Sequence, residues 1–539
     1  MSRLKLELCE QLLKECYGEI VASVGMSLLH NKSSPLAMII HRTKMEAKQI
    51  KQALCSLIQQ NIVTFHKNNA GLTEYSGSSD AILCRLRFPH YIHCAKTLFG
   101  DAAEFLVEEL LVQGRSTLGD AVNKTVNKLN ESLAVSKSSI PEISQNLIKD
   151  KVSILVKARL IRRCHDVSRD KDGKVISMDD MSNPEILFDP PREYDYEKST
   201  GSKRSAGEIC EVPLKKIKLE DGEEASSLGK PSETGPSYWC VNVHQFHHHF
   251  RDQAIISAVA KIIDQKASEV MRTMLRLSET KTVPTDSISA HLSFTEICTA
   301  MPKDKIMTSN VMDQYLKCLS ENCSGFVTKV GESGGGMFQI NFSKAVEALC
   351  ISEIETIVLE RFGSKALRMY RVLLAEKQVE QKQVEEKAML PPKEAKELLY
   401  KMFAENFVTL TELSKAPDHA PARTFYFFNV NLLQVSRMLL EKCYKATANV
   451  IVRRQKCMSE NKRLLDKQER VDAIISSLDA AEQKEEIEQM VTLSERKQLK
   501  KVGEASKVLE TSELLLDRTI FILEAFINST IKPLPVIKK

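Results

Sequence analysis

Aromatic residues make up only 6% of the 539-residue chain, and there is a single tryptophan. That is sparse for a large β-sandwich and suits helix-rich, charge-rich material. No C-x-x-C pair occurs among the fourteen scattered cysteines. Free thiols in a reducing compartment fit this pattern better than a disulfide framework or a zinc ribbon. No apolar run approaches the ~18 residues of a membrane span, so none is expected. The opening "MSRLKLELCEQLLKECYGEI" mixes charges with apolar residues at helical spacing, unlike a signal peptide. Excess charge is also small. A net +5 over the whole chain is a faint basic bias that permits nucleic-acid contact without demanding it. Catalytic signatures are missing too: there is no convincing G-x-S-x-G, H-E-x-x-H or D-x-D arrangement. "GESGGGMF" lacks the Gly-Lys-Ser/Thr ending of a phosphate loop, and a hairpin tip explains Gly334, Gly335 and Gly336. The expectation is a protein with no catalytic residues and no cofactor.

What is present is length, an ordinary 43% hydrophobic and 27% charged composition, and a repeated phrase. The length implies several domains. In "AMLPPKEAKELLYKMFAENFVTL" the pair Pro391–Pro392 can start a helix but not sit within one. Ala395, Leu398, Leu399 and Met402 then mark one apolar helix face. Asn406 is a left-handed stop, "FVTL" a strand, and "TFYFFNV" its antiparallel partner. Helix, stop, strand, loop, strand is the second half of a winged helix, and the preceding residues supply its first two helices.

The phrase recurs. "KQIKQALCSLIQQNIVTF" continues to a Gly-containing hairpin and "LTEY", and "SNVMDQYLKCLSENCSGFVTKV" to a glycine-rich tip and "MFQINF". "QNLIKDKVSILVKARLIRR" repeats it without an evident return strand, so that unit could also be a plain helical domain. The predicted fold is mainly α with small β-wings: four tandem winged-helix domains, then a C-terminal helical hairpin resembling a coiled coil. The expected segments are winged helices over 1–80 and 81–166, a disordered linker over 167–236, winged helices over 237–350 and 351–430, and the hairpin over 431–535. In the hairpin Leu432, Val435, Leu439, Leu464, Val471, Ile474, Val502, Val508, Leu515, Ile522 and Phe526 recur on an irregular heptad.

The third helix of a winged helix can enter the major groove while its wing touches phosphates. Candidate DNA contacts are therefore Lys44, Lys48, Lys51 and Lys67 in the first unit, with Lys393, Lys396, Lys401 and Arg423 in the fourth. The plainer reading is a solvated face on a protein-docking module. No helix carries the Arg/Asn/Gln cluster that base readout favours. In the linker, Lys203 and Arg204 precede Lys215, Lys216 and Lys218 with the spacing of a bipartite nuclear import signal. Cys240, His244, His247, His248 and His249 invite a metal, but all lie in one short stretch with no distant partner. No metal is expected; a helix start with surface histidines is.

Four such units, a nuclear-type linker and a terminal hairpin resemble one family. It is the large winged-helix subunit of the RNA polymerase III initiation heterotrimer, related in kind to general transcription factor IIE alpha. The resemblance rests on stretches such as "FPHYIHCAKTLFGDAAEFLVEELLVQG", "ERFGSKALRMYRVLL", "PDHAPARTFYFFNVN" and "ENKRLLDKQERVDAII". It implies a non-catalytic subunit of a nuclear DNA-directed RNA polymerase. The implied partners are a second winged-helix subunit, a small acidic subunit, the clamp of the largest subunit, and promoter DNA, single- or double-stranded. It also implies promoter opening at tRNA and 5S rRNA genes and a link to cytosolic DNA sensing. The alternatives are a winged-helix scaffold of another nuclear or cytosolic complex, and a free-standing DNA-binding regulator.

Overall fold

Three of the four repeats turn from helix to strand through the same backbone device. In each, a non-glycine residue sits in the left-handed region: Asn61 (φ 58°), Arg159 (φ 59°) and Asn406 (φ 62°). The next amide then reaches back five residues. Ile62 donates to Leu57 O at 3.0 Å, Leu160 to Leu155 O at 3.0 Å, and Phe407 to Met402 O at 2.9 Å. These bonds satisfy carbonyls that the helix end would otherwise orphan. In the remaining repeat Gly325 (φ 83°) occupies the same place, where a side chain would cost most.

The computed structural model describes residues 2–31, 33–68, 71–135, 145–164, 167–169, 175–178, 186–189, 237–282, 286–301, 308–322, 325–414, 424–477 and 491–531. They form two compact units, residues 12–246 and residues 1–11 with 247–539.

Each repeat builds a three-stranded antiparallel sheet whose last strand in sequence lies in the centre. In the first, Thr73–Gly77 pairs with Val63–Lys67 and with Ser34–Pro35. In the third, Met337–Ile340 lies between Val327–Gly331 and Leu292–Ser293. In the fourth, Thr424–Asn429 lies between Thr409–Ser414 and Val379–Glu380. The short first strand caps the sheet and opens a helix, which sets the wing beside the helical triad. The fold is mainly α, with winged-helix modules and a terminal helical hairpin.

The second module corrects the expected boundaries. Its return strand is Tyr238–Val241, which pairs with Ile161–Arg163 and with Ser116–Thr117. The third module therefore begins not at residue 237 but with the helix Val243–Ile262. Burial explains the placement: Trp239, Cys240 and Val241 are all buried, and Asn242 N donates to Leu160 O at 2.8 Å. The stretch expected to be linker from 167 also contains structure. Val167–Arg169 pairs with Val175–Met178, and Ile186–Phe188 forms a 3-10 turn.

Within the unit 12–246, Gly114 joins the first two modules. Its φ is +76°, and a Cβ there would lie 2.4 Å from Gln59 O. Arg115 Nε donates to Asn61 Oδ1 at 2.7 Å, and Gln60 Nε2 to Val112 O at 2.7 Å, so the contact closes on the helix stop itself. Gly114→Ala is expected to destabilise by roughly 1–3 kcal/mol from backbone strain alone, before the clash is counted. Urea denaturation followed by circular dichroism checks this, and an unchanged midpoint rejects it.

The hairpin's first arm is two helices, Leu432–Glu460 and Lys462–Ser477, broken at Asn461; its second is Leu493–Thr530. Tyr444 Oη donates to Glu524 at 2.7 Å, and Arg454 pairs with Glu513 at 2.8 Å. Val471, Val502, Ile522 and Phe526 are buried as the heptad reading expects, whereas Ile474, Val508 and Leu515 are exposed. The second arm starts with a capping box in which Thr492 and Glu495 bond reciprocally. The Lys467 ammonium and this cap hold the Glu495 carboxyl down to about 2. A depressed carboxylate stabilises above its unfolded value. The contribution is full above pH 4.5 and is lost as pH falls toward 2. Amide protection factors over Thr492–Arg496 should fall across that window, and Glu495→Gln should abolish that loss.

Candidate nucleic-acid interface

In the first module the phase of the apolar residues decides which side chains face out. Ile50, Ala53, Leu54 and Leu57 are buried along the helix Ala47–Gln59. That leaves Lys48 and Lys51 exposed, about 4.5 Å apart along the axis. Lys44 stands at the left-handed end of the preceding helix Leu36–Thr43 (φ 53°), its amide bonded to Ile40 O at 2.9 Å. The structure thus brings Lys44, Lys48 and Lys51 to one exposed corner of the helix-turn-helix. None of the three has a carboxylate partner among the described residues. A lysine without an internal counter-ion keeps its full attraction for an external phosphate.

The wing is less open. Lys67 is half-buried at the end of Val63–Lys67. His66 lies 3.8 Å from Glu74, and Glu74 also accepts from Ser33 Oγ and from Asn68 Nδ2. The Ser33 and Asn68 bonds, with a smaller contribution from His66, hold the Glu74 carboxyl below its ordinary value. The one acidic group of the wing face is thereby occupied.

In the fourth module the helix Pro392–Ala404 buries Ala395, Leu399 and Met402. Lys393 and Lys396, one turn apart, are exposed; Lys396 has no carboxylate partner among the described residues, whereas the Lys393 charge acts on Glu397. Lys401 does not join them. Five residues beyond Lys396 it points to another side and pairs with Glu397 at 2.8 Å. Arg423 lies outside the described residues, as does Lys415 of the same loop. Sequence reasoning missed Tyr400 and Phe403, which follow Lys396 at i+4 and i+7 and are 48% and 40% exposed. Two aromatics off the phase of the buried face were the available signal.

Lys203, Arg204, Lys215, Lys216 and Lys218 also lie outside the described residues. Cys240 and the histidines beside it go to different surroundings. Cys240 faces Arg162 across the strand pair. The bond from Cys164, then the Arg162 and Arg115 charges, bring the Cys240 thiol down, while the bond to Cys240 and burial push Cys164 up. His247 is partly buried with its ring 5.4 Å from Phe521, and burial lowers His249. His247, His248 and His249 are half-buried rather than at the surface as expected, whereas His244 is exposed. Among the described residues no three His, Cys, Asp or Glu side chains converge as a metal site would require. Among them, too, no helix is long and apolar enough to cross a membrane.

Comparison with known proteins matches the first, third and fourth modules and part of the hairpin to family models. The helix-turn-helix domain of RNA polymerase III subunit RPC82 matches residues 7–68, and the RPC82 subunit family matches 177–349. The C-terminal winged-helix domain of POLR3C matches 354–430, and the helical hairpin domain of DNA-directed RNA polymerase III subunit RPC3 matches 463–522. The RPC3 subunit of Rattus norvegicus is 41% identical over 99% of this chain and 100% of its own length. That of Homo sapiens is 40% identical over 99% and 100%, and that of Danio rerio 38% over 98% and 99%. At this identity, and with both chain lengths covered, the chain belongs to the RPC3 family of DNA-directed RNA polymerase III subunits.

Proposed function

We propose that the chain is a non-catalytic, nuclear subunit of RNA polymerase III that contacts DNA during initiation. In this reading it forms a heterotrimer with a second winged-helix subunit and a small acidic subunit, seated on the clamp of the largest subunit. The trimer supports promoter opening at small-RNA genes such as those for tRNA and 5S rRNA, and the same DNA contact serves DNA sensing in the cytosol. Family membership across the full chain supports the assembly. The observation that carries the DNA contact is the exposed corner of Lys44, Lys48 and Lys51, which has no carboxylate partner among the described residues.

Two measurements test it. Purification of the tagged chain from nuclear extract should recover a stoichiometric polymerase, with the trimer partners persisting at higher salt. Recovery of another assembly sinks the reading. Lys48→Glu with Lys51→Glu should reduce the slope of log K against log salt for duplex DNA by about 2, at about 0.9 for each phosphate no longer neutralised. An unchanged slope assigns this corner to protein docking instead.

A further inference from the structure

The strongest unassigned charge lies on the C-terminal hairpin. Gln498 Nε2 donates to Asn461 Oδ1 at 2.9 Å, which sets those two residues side by side across the arms. Around that bond stand Lys462, Arg463, Lys497 and Lys501, all exposed. Seven residues back along the first arm, about 10.5 Å away, the Arg454–Glu513 pair fixes a second crossing. Arg453 stands beside it and Lys507 between the two, both exposed. None of these six cations has a carboxylate partner among the described residues. Six unpaired cations thus stand within about 15 Å of hairpin.

We propose that the hairpin around Asn461 and Gln498 is a docking surface for the phosphate backbone of duplex nucleic acid, recognised by charge alone. Two observations select this partner. From Lys445 to Ser477 and from Val491 to Ser512 there is no aromatic residue, so unpaired bases find nothing to stack on. Charge density separates a duplex from an acidic polypeptide. Over ~15 Å a duplex carries about nine phosphates, at one charge per ~1.7 Å, of which about half face one side. An extended acidic peptide turns one side chain to the same face every ~6.6 Å, or about two carboxylates, leaving most of the cations unmatched. The connecting stretch 478–490 carries five carboxylates and one lysine.

The surface is independent of the winged-helix corner, and the test separates them. The full-length chain is titrated with a labelled duplex of arbitrary sequence at several salt concentrations. Arg463→Glu with Lys501→Glu should lower the salt slope by about 2, at ~0.9 per phosphate, in the Lys48→Glu/Lys51→Glu background as well as alone. The Gln pair at the same positions should do the same, with a circular dichroism spectrum like the parent's. Lys96→Glu with Lys281→Glu, two exposed lysines already paired with carboxylates and outside any third helix or wing, controls for net charge and should leave the slope alone. A hairpin slope equal to that control overturns the proposal. So does displacement by poly-glutamate as effective as by unlabelled duplex, which identifies an acidic polypeptide as the partner.

Discussion

Replacing Trp239 with alanine is expected to destabilise the unit 12–246 by about 3–5 kcal/mol, the range for deleting a large buried aromatic. The indole is 1% exposed, the lowest value its own strand attains, and its Nε1–H lies 3.4 Å from Ser237 Oγ. Its strand is the central one of the second module, with Ser116 on one side and Arg163 on the other. Truncation therefore leaves a cavity that neither neighbouring strand can fill without breaking register. Guanidinium denaturation followed by far-ultraviolet circular dichroism measures the effect. The parent protein offers a second readout, because Trp239 is the only tryptophan. Its emission should be blue-shifted and protected from iodide, then move to the red as this unit unfolds. An exposed, quenchable indole in the native state would refute the placement of the strand, as would an alanine variant with an unshifted midpoint.

That strand also marks where sequence reading fails. Periodicity and turn chemistry act over a few residues, and there they suffice. Asn61 and Asn406 tolerate a left-handed backbone, so both helix stops were legible. Arg159 makes the same turn without such a preference. It is held by tertiary bonds, since Asn242 Nδ2 donates to Arg159 O at 2.8 Å. That partner lies 83 residues away. The return strand was missed for the same reason: more than 70 residues separate it from Ile161–Arg163, and no local rule links them. The candidate lysines divide likewise. Helix phase placed Lys48, Lys51, Lys393 and Lys396 outward from their buried faces. It could not reveal that Lys401 pairs with Glu397, nor that Arg453, Lys462, Arg463, Lys497, Lys501 and Lys507 have no carboxylate partner among the described residues. Those facts depend on which acidic side chains come near, and only the folded chain decides that.

Phe407 is where the fourth module meets the hairpin within the unit containing both, and Phe407→Ala is expected to cost about 3–5 kcal/mol. The ring is fully buried, set edge-on to Phe362 at 5.3 Å and 84°, with the Lys442 ammonium 5.4 Å from its centroid. Beside it Glu405 pairs with Arg361 and lies 3.6 Å from Lys442. The ring thus joins three elements: the helix Phe342–Phe362, the stop after Pro392–Ala404, and the first hairpin helix. Phe407→Leu keeps most of the apolar volume but gives up the edge-to-face geometry, worth about 0.5–1.5 kcal/mol, so it should fall well short of the alanine cost. Denaturant midpoints of the two variants give the comparison. Equal losses would mean that the ring fills space without using its geometry. The same pair bears on function. If Lys393 and Lys396 contact DNA, their helix must be held firmly against this junction. The alanine variant should then weaken duplex binding while leaving the salt slope unchanged, because the same phosphates are still neutralised. A reduced slope would mean that the junction itself touches DNA.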